Sequence, residues 1–232
     1  MKKTVDASFE LLVGRSESQL VRCWSDHLVH RECLSALEIL RDEAANAGFE
    51  LAIASSYRSY DRQLLIWQEK VAGKRPVLDA AEHPLVVSEL DDEELLWALL
   101  RWSALPGTSR HHWGTDLDVY DARALREAGS KLQLTVAECA PDGPLGDFHQ
   151  WLSESIATGR SQGFYRPYDC DRGGVAEEPW HLSYAPVARE LQAAFDYGLF
   201  QRLQNEGLWP LGGAIGRHSE QIFTRFIESN HI

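Results

Sequence analysis

The sequence is short of basic side chains. Its 232 residues include 23 lysines and arginines against 35 aspartates and glutamates, which gives a formal net charge of −12 at pH 7. A chain with this balance should be repelled by nucleic acids and by anionic membrane surfaces, and no run of basic residues argues otherwise. We therefore expect no nucleic-acid partner for this protein.

Long hydrophobic runs are also missing. Residues 1–10 contain two lysines but no apolar stretch after them, whereas a secretory signal needs about 7–15 consecutive apolar residues at this place. No segment approaches the roughly 18 apolar residues of a membrane span. The sequence therefore predicts no membrane insertion and favours a cytoplasmic protein, unless a signal has been trimmed from it.

Cysteines are few, and their spacing does not indicate a metal site. The four are Cys23, Cys33, Cys139 and Cys170, and no pair of them forms a Cys-x-x-Cys pattern. An even count would allow two disulfides in an oxidising compartment. Because no secretory signal is visible, free and mostly buried thiols are the favoured interpretation.

No internal repeat, low-complexity tract or Gly/Ser linker divides the chain, so we predict a single domain. Apolar residues at helical spacing predict two helices within residues 17–47. Further helices are predicted at 60–71, 91–102, 145–158, 187–203 and 219–228, and strands at 50–54, 115–120 and 180–184. Strands scattered among helices indicate an α+β domain.

Two short segments carry the residues of a metal site with its own base. They are Ser-Arg-His-His-Trp-Gly-Thr-Asp-Leu-Asp at 109–118 and Glu-Pro-Trp-His at 178–181. A catalytic zinc ion takes three protein ligands of N and O type and keeps one position open for water, and His111, Asp118 and His181 supply such a set. Glu178 is the candidate general base for that water. We expect one Zn²⁺ ion.

The pattern Ser-x-His-x-x-Gly-x-x-x-Asp followed by Glu-x-Trp-His resembles that of the VanY-type zinc D-alanyl-D-alanine carboxypeptidases, whose fold is shared with Hedgehog proteins. Residues 55–63, Ser-Ser-Tyr-Arg-Ser-Tyr-Asp-Arg-Gln, are similar to a third segment of that family. The resemblance implies the Hedgehog/DD-peptidase fold, a small antiparallel sheet carrying the zinc ligands and flanked by helices. It places the catalytic core at about 48–184 of a single domain, 1–232, with helical extensions at 1–47 and 185–232.

The family spacing also chooses between neighbouring candidates. It selects His111 over His112, and Glu178 over Glu177. Asp116 departs from the pattern, because the family usually has a small apolar residue there. In a strand Asp116 faces the same side as Asp118, so it is interpreted as a partner of a ligand histidine or of a substrate amine, or else as a solvated surface acid.

A second group of residues is predicted to contact the substrate. The guanidinium of Arg58 suits either the developing oxyanion or the free C-terminal carboxylate of a peptide, which makes it a catalytic candidate as well. The resemblance implies substrate contacts for Gln63 and Ser109. Tyr57 and Trp113 are candidates for the pocket wall.

These features together predict a zinc metallocarboxypeptidase that releases terminal D-Ala from a peptidoglycan stem peptide or muropeptide. A cytoplasmic enzyme meets recycled tetrapeptides, and also D-Ala-D-Ala precursors that the cell needs intact. The favoured interpretation is therefore an L,D-carboxypeptidase that converts tetrapeptide to tripeptide in cell-wall recycling. The alternatives are a D,D-carboxypeptidase or dipeptidase and a non-enzymatic, Hedgehog-like zinc-binding module. The sequence leaves the oligomeric state open.

Overall fold

A four-stranded antiparallel sheet carries the candidate site. The computed structural model describes residues 7–228, and the sheet order is β3–β4–β6–β5. A separate two-stranded sheet pairs β1 with β2. The strands are β1 (Leu20–Arg22), β2 (Leu28–His30), β3 (Leu51–Ser55), β4 (Asp116–Asp121), β5 (Phe164–Tyr165) and β6 (His181–Tyr184).

Helices surround the two sheets. The α-helices are α1 (Phe9–Leu12), α2 (Leu34–Asn46), α3 (Tyr60–Val71), α4 (Asp92–Trp102), α5 (Ala122–Glu127), α6 (Val136–Cys139), α7 (Gly146–Ala157), α8 (Ala185–Ala194), α9 (Tyr197–Asn205), α10 (Gly212–Arg217) and α11 (Ser219–Ile222). Single turns of 3₁₀-helix are Trp24–Asp26, Arg31–Cys33, Val87–Glu89 and Arg110–Trp113, and a π-helical turn spans Phe223–Ile227. None of the helices within residues 7–228 has the length and apolar character needed to span a membrane.

Two hydrophobic clusters form the core of the described part of the chain. One, around Trp67 and Leu96, joins α3 and α4 to the C-terminal helices. The other, around Leu37, Leu117 and Phe148, packs α2 and α7 against the sheet. Leu117 and Leu182, which neighbour the candidate ligands Asp118 and His181 on their strands, belong to this second cluster, so its packing holds the strands in place.

The predicted α+β class is confirmed, and several predicted elements match the structure closely. The helix predicted at 60–71 is α3, and the hydroxyl of Ser59 accepts a hydrogen bond from the Arg62 N–H at its start. The helix predicted at 91–102 begins with a capping box between Asp91 and Glu94. The limits of the core and of its extensions stay a prediction.

Of the two helices predicted within 17–47, the prediction of the first is wrong. This segment forms the β1–β2 hairpin, in which Val21 pairs with Val29. Ser25 and Asp26 take positive φ angles of 56° and 60° and turn the chain there. The His30 N–H then donates to the Gly114 carbonyl at 2.8 Å, so a tertiary contact with the site loop takes part in fixing this hairpin.

The helix predicted at 187–203 is two helices. It breaks between α8 and α9, where Asp196 adopts an extended backbone and accepts a hydrogen bond from the Leu199 N–H at 2.8 Å. Of the four cysteines, all of them free, Cys33 and Cys139 are buried, Cys23 is half-buried and Cys170 is exposed.

Candidate metal centre and active site

The pairing of β4 with β6 brings two of the predicted ligands together. Asp118 lies directly opposite His181 in the antiparallel ladder, and both side chains are almost completely buried. His111 reaches the same point from the 3₁₀ turn that precedes β4. Gly114 ends that turn with a φ of +69°, and a Cβ added to it would lie 2.8 Å from the backbone nitrogen of His30. Only glycine fits this sharp connection.

The three predicted ligands form a cluster that fits a metal ion. One ligand atom from each of His111, Asp118 and His181 lies within 4.8 Å of the other two. Asp118 Oδ2 is 3.5 Å from His111 Nε2, and Asp118 Oδ1 is 3.3 Å from His181 Nδ1. Asp118 Oδ1 and His181 Nδ1 are buried, and neither has a hydrogen-bond partner among the described residues. Buried nitrogen and oxygen atoms that converge without a hydrogen-bond partner can offer their lone pairs to a zinc ion.

The outer nitrogen of each histidine ligand is held by the protein. His111 Nδ1 lies 2.9 Å from the Ser56 carbonyl, and His181 Nε2 lies 2.9 Å from Asp116 Oδ2. Because both acceptors lack protons to donate, these contacts assign the N–H to the outer nitrogens. His111 Nε2 and His181 Nδ1 are then left with lone pairs that point at the metal position.

Asp116 is the partner of a ligand histidine, and its other two interpretations are not supported. Its side chain is fully buried, which excludes a solvated surface acid. Besides His181, it accepts hydrogen bonds from Arg110 Nε at 2.7 Å and from the Thr115 and Ser183 hydroxyls at 2.7 Å each. These four donors leave it no position for a substrate amine.

Arg110 neutralises this buried carboxylate. Its guanidinium is itself buried, and it also bonds Gln192, Tyr165 and Ser183. Burial alone would raise the pKa of Asp116, but Arg110 and the hydrogen bond to His181 outweigh it and hold that pKa well below its usual range. Asp116 therefore stays ionised and can orient the ligand histidine at any ordinary pH.

Burial and charge act differently on the two histidine ligands. Burial lowers the pKa of His111 to about 4, with Arg58 and His181 adding to that effect. Burial would also lower the pKa of His181, but the nearby carboxylates of Asp116, Asp118 and Glu178 outweigh it and raise that pKa well above its usual value. A proton and a metal ion consequently compete for His181 Nδ1.

Glu178 lies at the edge of the cluster. Its Oε2 is 3.3 Å from His181 Nδ1, and its side chain keeps 14% of its surface exposed. Backbone bonds fix the residue, because its N–H donates to the Tyr168 carbonyl and its carbonyl accepts from the His181 N–H, both at 3.0 Å. Burial raises the pKa of Glu178. A carboxylate with a raised pKa beside a metal position is suited to take and return a proton.

Arg58 and Ser109 also line the cavity that holds the candidate ligands, and Gln63 holds Arg58 in position. Arg58, Ser109, Glu178 and the three ligands line one cavity of about 440 Å³. The Arg58 guanidinium donates to Gln63 Oε1 at 2.8 Å and to the Ser55 hydroxyl at 3.0 Å. Gln63 is fully buried and gives its amide to the Ala104 carbonyl at 2.7 Å. It therefore orients Arg58; Gln63 does not itself line the cavity, and its direct contact with the substrate stays a prediction.

The two predicted wall residues lie elsewhere. Trp113 is 3% exposed, belongs to the hydrophobic core, and donates its indole N–H to the Leu12 carbonyl. The Tyr57 hydroxyl donates to the Gly14 carbonyl at 3.1 Å. Neither residue lines the cavity. Both instead anchor the loop around the site to α1 and the turn after it.

The structure adds wall residues that the motifs did not indicate. The Tyr168 ring packs edge-on against the His181 ring, with 4.9 Å between their centroids. Trp180, Ile222 and Phe226 complete part of the wall, so the C-terminal helices take part in enclosing the cavity. Lys70 also lines it, from the last turn of α3. Of these, only Trp180 lies within a recognised motif.

We predict that His111→Ala loses the metal and that His112→Asn keeps it. His112 Nδ1 donates to the Arg58 carbonyl at 2.6 Å and its Nε2 accepts from the Gly107 N–H at 3.0 Å, so both of its nitrogens are already used. Metal content of the folded, zinc-equilibrated variants can be measured by atomic emission. Stoichiometric zinc in His111→Ala would contradict the assignment.

The comparison with protein families decides the relationship. A family model described as VanY: D-alanyl-D-alanine carboxypeptidase matches residues 26–187. The chain belongs to the VanY family. As a VanY family member it is a carboxypeptidase, which removes the alternative of a non-enzymatic module and confirms the resemblance drawn from the motifs.

Two curated relatives illustrate the range of similarity. An uncharacterized protein of Haemophilus influenzae is 41% identical over 100 residues, which cover 41% of this chain and 68% of that protein. A D-alanyl-D-alanine carboxypeptidase of Enterococcus faecalis is 28% identical over 154 residues, which cover 65% of this chain and 46% of that enzyme. This chain therefore matches less than half of the length of the Enterococcus enzyme.

Two solved structures share the fold. The LdcB LD-carboxypeptidase matches with a TM-score of 0.52 and 24% identity, covering 88% of this chain and 80% of that one. The vancomycin resistance D,D-pentapeptidase VanY, solved in complex with Zn(II), matches with a TM-score of 0.50 and 24% identity, covering 79% and 88%. The predicted fold is therefore confirmed.

Proposed function

We propose that this VanY family member is a zinc-dependent carboxypeptidase that releases terminal D-Ala from peptidoglycan stem peptides. The observation that carries the proposal is the position of Glu178, 3.3 Å from the free nitrogen of His181 and inside the cavity that also holds Arg58. A site that only held a structural zinc ion would not need this base or this cation. The peptidoglycan recognition described for LdcB supports the substrate class.

His111, Asp118 and His181 would hold the zinc ion. When bound there, zinc would polarise the scissile carbonyl and lower the pKa of a water molecule to about 7. Glu178 accepts the proton of the attacking water and returns it to the leaving amine of D-Ala. Arg58, held rigidly by Gln63 and Ser55, supplies positive charge to the substrate oxygens.

Within this function, we favour cleavage of the L,D bond that ends a tetrapeptide. The preference rests on our expectation of a cytoplasmic enzyme in cell-wall recycling, because such an enzyme must spare the D-Ala-D-Ala ends of wall precursors. The family description, D-alanyl-D-alanine carboxypeptidase, favours the competing D,D reaction. The two candidates differ in the residue before the terminal D-Ala, which is the L-centre of a diamino acid in the tetrapeptide and D-Ala in the pentapeptide.

Muropeptides that end in one or in two D-Ala residues separate these candidates. The zinc-loaded protein is incubated with tetrapeptide and pentapeptide forms, and D-Ala release is followed by chromatography. We expect conversion of tetrapeptide to tripeptide. Conversion of pentapeptide alone would replace the L,D proposal by the D,D one, and no release from either would reject the proposed function.

Replacing Arg58 by Met is expected to lower kcat/KM by a factor of about 10²–10³, because a fixed donor to the developing charge is lost. Gln63→Ala should cost less, since the guanidinium keeps its charge and its bond to Ser55. Steady-state kinetics on the preferred peptide measure both variants. An Arg58→Met enzyme as active as Gln63→Ala would show that Arg58 does not act on the substrate.

A further inference from the structure

A second positive group lies in the cavity beyond Arg58. Lys70 and Arg75 line the same cavity as the candidate metal ligands, and the proposed mechanism uses neither of them. Lys70 stands seven residues after Gln63 on α3, so it lies on the same face of the helix, about 10 Å further along its axis. Besides Arg58 and Arg110, which is paired with Asp116, the cavity is therefore lined by two further cations, Lys70 and Arg75.

Lys70 forms no ion pair with a carboxylate among residues 7–228. Its half-buried ammonium group donates instead to the neutral Ser103 hydroxyl at 2.7 Å. Burial lowers the pKa of Lys70 to about 8; the positive charges of Arg58 and Arg75 add to that effect, and the carboxylate of Glu178 opposes it without reversing it. Such an arrangement costs stability in the empty cavity, whereas an anion would compensate it.

Arg75 is paired on one side only. Its Nε forms a partly exposed ion pair with Glu69, and Arg75 also lines the cavity. An arginine presents several donors in one plane and binds a carboxylate through two of them. Lys70 and Arg75 thus supply both a point charge and a planar donor group.

We infer that Lys70 and Arg75 form a second anion subsite, which binds a further carboxylate of the peptide while Arg58 and Ser109 serve its C-terminal end. This inference rests on the proposed function and deepens it by naming the substrate class: peptides with a free carboxylate in addition to the terminal one. Two groups of a stem peptide have this chemistry, the side-chain carboxylate of a diamino acid such as diaminopimelate and the α-carboxylate of a γ-linked D-glutamate.

Matched peptides separate these two sources. The wild-type enzyme is given tetrapeptides in which only one carboxylate is changed to a carboxamide, either on diaminopimelate or on D-glutamate. We expect kcat/KM to fall about tenfold for the amide at the recognised position and to change little for the other. Equal rates on all three peptides would overturn the inference.

Variants then locate the preference. In Lys70→Met the ratio of kcat/KM between carboxylate and amide peptides should fall towards one, and Lys70→Arg should restore most of it. Lys74→Met is the matched control, because Lys74 is an exposed lysine four residues away that does not line the cavity, and it should keep the wild-type ratio. Arg75→Gln gives a second test should Lys70→Met fold poorly. An undiminished ratio in Lys70→Met, or in Arg75→Gln where it takes its place, would overturn the inference.

Binding measurements keep the inference separate from the proposed function. Calorimetry with zinc-loaded Glu178→Gln compares the affinity for the carboxylate and amide peptides without turnover, and the same comparison is made with Glu178→Gln/Lys70→Met. Absence of D-Ala release by the wild type would reject the proposed function. In these binding measurements, the subsite would be rejected if the carboxylate peptide bound no better than its amide.

Discussion

Glu178→Gln is expected to lower kcat by a factor of about 10²–10⁴ while zinc stays bound, because this carboxylate accepts the proton of the attacking water and returns it to the leaving amine. Glutamine has the same size as glutamate but cannot accept that proton. Glu178 Oε2 lies within 3.3 Å of a ligand nitrogen, yet the residue is not one of the three ligands. Single-turnover kinetics and metal analysis on the same preparation measure both quantities.

Glu177→Gln is the matched control for this change. Glu177 is the adjacent acid, it is also half-buried, and it does not line the cavity. It should retain full activity and full zinc. Turnover at the wild-type rate in Glu178→Gln would remove the mechanism, and loss of zinc together with activity would show that Glu178 belongs to the metal shell.

Asp116→Ala is expected to lower the free energy of unfolding of the metal-free protein by about 3–5 kcal/mol, because the change leaves the buried guanidinium of Arg110 without its counter-charge. The same change removes the hydrogen bond that holds His181 Nε2, which should weaken zinc binding by about 10–100-fold. Denaturant unfolding in the absence of metal measures the first effect. Competition with a chelator of known affinity measures the second.

The double variant Arg110→Met/Asp116→Ala separates these two effects. It removes both charges, so part of the lost stability should return. Zinc affinity should stay low, because His181 still lacks the partner of its outer nitrogen. Recovery of zinc affinity along with stability would show that Asp116 acts only through the stability of the fold.

The site could be predicted from the sequence because the chemistry of the metal fixes residue type and spacing. The strand predicted at 115–120 and the one at 180–184 both exist, and their pairing places Asp118 opposite His181. The sequence pattern alone does not decide the role of Asp116, and the reason is physical. Asp116 bonds Arg110 and Ser183, and Arg110 in turn bonds Gln192. These three partners come from separate segments, and a strand pattern cannot show which side chains meet in the fold.

The fold could be predicted less well where tertiary contacts outweigh local pattern. Leu20, Trp24 and Leu28 have helical spacing, but the segment forms a hairpin that turns at Ser25 and Asp26. The hydrogen bond from His30 to the Gly114 carbonyl is a tertiary contact that local spacing does not reveal. The break at Asp196 is different, since an aspartate able to cap a helix is visible in the sequence. The position of Lys70 in the cavity could not be predicted, because a lysine near a helix end is usually solvated.

Dependence of D-Ala release on zinc tests the central claim most directly. The protein is stripped with a chelator, dialysed, and titrated with Zn²⁺ while release of D-Ala from stem peptides is followed by chromatography. We expect no release from the stripped protein and full recovery at about one equivalent of zinc, as a site with three protein ligands requires. Release by the stripped protein at the original rate would contradict it.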